Sequence, residues 1–153
     1  LLGTLSSIIF ITLTVQVHLG AIELDYVDGA TIEQITVNYQ NAHKEYFLPF
    51  LENNEYMLEN YLVHYMFKTL FPILKDRVFD DYVMLVIHYS MVKLHLIGMA
   101  KFHNGLNEEL VIKLIQSFSK TVDHSAVYLS DIFEALKKQN FNTMGYMAIL
   151  ANN

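Results

Sequence analysis

The chain has 153 residues, a formal net charge of −6 and no Cys; 53% of it is hydrophobic, including ten Tyr and ten Phe. This composition suits one domain with a sizeable core and excludes disorder, and the missing thiols exclude disulfides, thiolate metal sites and Cys nucleophiles within these residues. The ten Lys plus Arg begin only at Lys44 and form no run longer than Lys137-Lys138, so the clustered positive surface that nucleic-acid binding needs is absent.

From Ile11 to Leu19 apolar and polar residues alternate, the spelling of a half-buried strand. A lone strand needs a partner. The candidate, Ile35–Tyr39, sits behind Thr31-Ile32-Glu33-Gln34, which has the form of a helix-starting capping box. Residues 5–24 are therefore expected as a helix, with Ile8, Ile11, Val15, Leu19 and Ile22 along one stripe. The stretch lacks the basic flank of an export signal, and Thr12, Thr14, Gln16 and His18 interrupt it as a membrane span. The first residue is Leu, not Met, and the chain is read as a C-terminal fragment cut from a longer protein.

The second helix follows Thr31, with Ile32, Ile35, Tyr39, His43 and Tyr46 on one face and Pro49 expected to stop or kink it. A third is predicted from about Asn54 to Leu70, ended by Phe71-Pro72. The longest and most apolar runs from about Tyr82 to His103, opened by Asp80 or Asp81 and closed by Asn104-Gly105. Asn107-Glu108-Glu109 opens a fifth helix reaching Asp123-His124, with acids at the positive end of the dipole. Ser125 caps a sixth ending at Lys137-Lys138, and Thr143 caps a short last one from Met144 to Asn152. Placing Asp28-Gly29 over Asn104-Gly105, an offset of 76, aligns two apolar elements and two caps, a weak internal repeat. The expected fold is all-α: one domain over residues 1–153, a bundle of six or seven helices with two pseudo-repeated halves.

The chemistry-bearing residues are sparse. His88 and His95 are seven apart, about 10 Å along a helix, too far to share one metal ion, and read first as packed histidines. Tyr82 and Tyr89 share a helical face, as do Tyr61, Tyr65 and Phe67 with their neighbours; they read as core aromatics or as the lining of a groove. Asn60 and His64, four apart beside Glu59, form the most polar patch of an aromatic helix and read first as a structural hydrogen-bond cluster. Phosphate loops, hydrolase elbows and paired metal ligands are all missing from the sequence. No metal site is expected.

Three stretches, ENYLVHYMFKTLFP (Glu59 to Pro72), DDYVMLVIHYSMVKLHLIGMA (Asp80 to Ala100) and VIKLIQSFSKTVDHS (Val111 to Ser125), resemble the C-terminal part of the flagellin lysine-N-methylase family. The closing TMGYMAILANN is similar to the end of those proteins, and the resemblance covers most of residues 45–153. It implies a cytoplasmic bacterial methyltransferase that moves methyl groups from S-adenosylmethionine to the ε-amino groups of flagellin lysines. It also implies an iron–sulfur centre on a cysteine cluster, which this chain lacks. No cofactor is expected within these residues, and the chain alone is not expected to be catalytic.

Substrate docking or active-site closure is the expected task. A cationic lysine is drawn to carboxylates and aromatic faces, which selects Glu59, Tyr61, His64, Tyr82, His88 and Tyr89 as candidate substrate-binding residues. Flagellin is the implied partner, with nucleic acid and membrane excluded and self-association left open. Two other readings stand beside it: the ligand-binding and dimerisation domain of a tetracycline-repressor-like regulator, and a non-catalytic helical interaction module.

Overall fold

The structure, a computed structural model, describes residues 32–73, 77–122 and 126–152. Among them there are five separate helical stretches and no strand. The first is continuous: α1 (Ile32–Ala42) passes through a π-helical turn (His43–Phe47) into α2 (Leu48–Lys68). The others are α3 (Val78–Phe102), α4 (Glu108–Thr121), α5 (Ala126–Lys138) and α6 (Met144–Asn152). The all-α expectation holds for these residues. The count of six or seven helices and the two pseudo-repeated halves are not confirmed. Residues 5–24, the Thr31 cap, Lys75-Asp76 and the junction from Asp123 to Ser125 lie outside the described residues.

Pro49 does not stop the helix. Its ring would clash with the carbonyl four residues back, at Glu45, and it has no N–H to donate there. Glu45 lies in the π-turn, whose wider coil relieves that crowding, and the Leu48 N–H bonds to the His43 carbonyl, five residues back. The kink comes instead at Asn54, whose φ of −133° and ψ of 25° are not helical. The same turn carries the aromatic face onward to Phe47, which is buried, whereas Tyr46 is half-buried. Tyr39, His43 and Phe47 stack in a column, with ring centroids 6.3 and 5.5 Å apart.

Three of these helices end in the same way. At the ends of α2, α3 and α5 one residue takes a left-handed φ: Leu70 at 55°, Asn104 at 53° and Asn140 at 56°. In each, the next N–H reaches back five residues: Phe71 to the Met66 carbonyl, Gly105 to Ala100 and Phe141 to Leu136, all at 2.9 Å. A bond from the left-handed residue's own N–H to the carbonyl three residues back, at 3.3, 3.4 and 3.0 Å in turn, completes a Schellman motif each time. Asparagine tolerates this conformation because its side chain is short and polar; leucine does not.

Residues 32–53 with 94–114 form one compact unit, and residues 54–73, 77–93, 115–122 and 126–152 form another. The first buries Ala42, Phe47, His95, Leu96, Ile97, Ala100, Val111 and Leu114. In the second, α2 contributes Met57, Leu58, Tyr61 and Tyr65 to the core, and α3 buries residues on nearly every side from Asp80 to Lys93. Such all-round burial is why α3 reads as a continuous apolar run. By length and composition α3 is long and apolar enough to cross a membrane, but 67% of its apolar window is buried within the protein.

Candidate functional site

All six residues selected from the sequence lie in the second unit, and burial separates them into three pairs. Glu59 and His64 are exposed, Tyr82 and Tyr89 are half-buried, and Tyr61 and His88 are buried. On α2 the buried row is Met57, Tyr61 and Tyr65, four apart. Glu59 lies on the opposite side, and Asn60 and His64, on the flank of the buried row, are exposed as well.

The buried group is built around His88, which is only 1% exposed. Its Nδ1–H donates to the Met84 carbonyl one turn back, 2.8 Å away, which fixes the tautomer and ring plane. Its ring lies 4.3 Å from that of Tyr65 and meets Phe118 edge-on at 6.3 Å. This is a packed histidine, as the seven-residue spacing from His95 implied, and it supports α2 and α3 from within.

Tyr89 belongs to a second cluster, of which sequence reasoning missed Glu55 and Lys93. Burial pushes the Tyr89 phenol above its ordinary value of 10.0, and the Glu55 carboxylate adds to the rise by opposing a phenolate. One turn along α3, Lys93 is buried, and its Nζ lies 6.0 Å from the centre of the Tyr89 ring. Burial holds this ammonium below its ordinary 10.5. Nζ donates to the Ala151 carbonyl at 3.4 Å, at the C-terminal end of α6, where the helix dipole favours a cation. The Ser90 hydroxyl, 2.7 Å from the Val86 carbonyl, also lies 3.2 Å from that of Leu150. Ser90 and Lys93 thus hold the end of α6. The signal for Lys93 was present: it is the one cation between Tyr82 and Ala100 in an otherwise apolar helix.

Of the exposed pair, Glu59 sits on a row that His64 does not share. Glu55, Glu59, Val63 and Phe67 are spaced four apart on the outer face of α2, all exposed, and Tyr56 stands beside them at 48% exposure. The row is acidic at its start and apolar at its end. A separate cleft of about 400 Å³ is lined by His103, Gly105, Asn107, Glu109 and Lys113. There the Lys113 ammonium pairs with Glu109 at 2.8 Å and holds its carboxyl below the usual range, so the two charges answer each other. Among the described residues, no group of three His, Asp or Glu is placed to hold a metal ion.

The family described as FliB lysine N-methylase C-terminal domain matches residues 10–150. No curated protein and no solved structure matches the chain.

Proposed function

The chain belongs to the FliB lysine N-methylase C-terminal domain family, and from that we propose that it docks flagellin, or closes over the active site, for a flagellin lysine N-methylase. The family match, spanning nearly the whole chain, carries this reading. Another part of the enzyme transfers the methyl group from S-adenosylmethionine. An iron–sulfur centre needs thiolates or comparable ligands. This chain has no Cys, so its residues do not fit such a centre and no step is assigned to one here.

What the chain supplies is attraction and position. A lysine ε-ammonium approaching the outer face of α2 meets the Glu55 and Glu59 carboxylates, with the Tyr56 ring beside them. From α3, Tyr89 is near enough to Glu55 for the carboxylate to oppose its phenolate. Tyr61 and His88 position the helices from inside rather than touching substrate.

The test uses the 153-residue chain, purified flagellin and S-adenosylmethionine carrying a labelled methyl group. The chain is expected to retain flagellin on a column and to transfer no label. Label transfer by the chain alone, or failure to retain flagellin, overturns the reading.

A further inference from the structure

Lys93 is the misfit of α3. It is only 7% exposed. An ammonium carries three N–H donors, yet among the described residues this one makes a single hydrogen bond, at 3.4 Å to the Ala151 carbonyl. The Tyr89 ring stands 6.0 Å away, at the outer limit of a cation–π contact, and the Glu55 carboxylate acts on the Tyr89 phenol rather than on the ammonium. A buried charge is ordinarily paired, and an apolar side chain of similar length would be easier to bury here. Burial accordingly holds the ammonium below its ordinary value. What Nζ meets is the last turn of α6, so that helix is part of what shuts it from water.

α6 is held lightly. It has nine residues, fewer than an isolated helix needs to persist in water. Of its side chains only Met147 is buried, while Met144 is 60% and Ile149 44% exposed. Its polar ties are long. The Thr143 cap bond is 3.4 Å, and the Leu150 carbonyl lies 3.2 Å from the Ser90 hydroxyl. A serine hydroxyl has one proton to donate, and that of Ser90 is committed to Val86 at 2.7 Å within α3. The tie that remains is the bond from Lys93, the side chain of α3 whose burial is least compensated. On the other side, α5 is closed by its own Schellman motif at Asn140, so residues 141–143 can swing without unwinding it. The Phe141 and Tyr146 rings, 4.6 Å apart, join α6 to that turn and not to α3.

We infer that α6 is a hinged lid, which lifts from α3 about residues 141–143 while the rest of its unit stays folded, and which hydrates Lys93 and bares Ser90 and Tyr89 when it lifts. The Lys93 side chain sets the balance. Closed, it gives one bond to the last turn of α6; open, its three donors reach water. The lid is independent of the docking role.

Amide hydrogen exchange on the 153-residue chain at neutral pH reads the opening directly. The α6 amides from Met147 to Asn152 are expected to exchange as one group, at least about tenfold faster than those of α3 between Val83 and Val92. A helix that merely frays would show rates graded towards Asn152 and indifferent to Lys93. Lys93→Met is therefore the deciding variant, expected to slow α6 exchange at least about fivefold relative to α3. A second readout uses the absence of Cys: Met147→Cys places a lone thiol at a position 1% exposed. Its labelling by a thiol reagent is expected to slow by a similar factor when Lys93→Met is added. The inference is overturned if α6 and α3 exchange together, if the α6 rates are graded along the helix, or if Lys93→Met speeds α6 exchange or changes it by less than about twofold.

Discussion

Two residues act against the stability of the fold. Leu70 holds a left-handed backbone that disfavours a branched side chain by about 1 kcal/mol, and Leu70→Asn should return roughly that amount in a urea melt. Lys93 carries its strain as charge. Burial holds its ammonium below 10.5, so in the window between its folded value and 10.5 the unfolded chain binds more protons than the folded one. Stability contributed by this group is therefore present above 10.5 and lost as pH falls through the folded value. Lys93→Met should flatten that rise in a series of melts between pH 8 and 10.5; an unchanged slope would show that Lys93 is not its source. Tyr89 works in the opposite sense: its raised phenol makes stability fall as pH climbs above 10.0.

Among the elements, the caps are graded by geometry. The Asn107 side-chain oxygen accepts the Leu110 N–H at 2.9 Å, whereas the Thr143 hydroxyl oxygen accepts that of Tyr146 at 3.4 Å. Asn107→Ala should destabilise by about 1 kcal/mol in thermal unfolding, and Thr143→Ala by less. Both caps were legible in the sequence, as was the Asn104-Gly105 stop, because a cap depends on a few neighbouring residues. The end of α2 was found through Phe71-Pro72, but its left-handed Leu70 was not, since nothing in a leucine announces that conformation. The π-turn was missed because a helix that absorbs a proline and one that stops at it share a spelling up to Pro49. The tyrosines show the limit of periodicity. Tyr61, Tyr65 and Glu59 are equally well placed on one helix, and only the packing of α2 decides that the first two turn inward.

At the scale of the whole molecule, the chain is acidic, has no thiols and is matched over residues 10–150 by the FliB lysine N-methylase C-terminal domain family, from which the docking role is proposed. Its buried histidines and tyrosines pack among the helices, and its outer α2 face exposes Glu55, Glu59, Val63 and Phe67. A docking role predicts which kinetic constant moves. Interactions that bind substrate and transition state equally raise KM when removed and leave kcat alone. The most direct measurement is flagellin methylation by the full-length enzyme carrying Glu55→Gln and Glu59→Gln in this domain. The account predicts a KM for flagellin raised by about tenfold with kcat unchanged. A fall in kcat at unchanged KM would contradict it and place these residues in the chemical step.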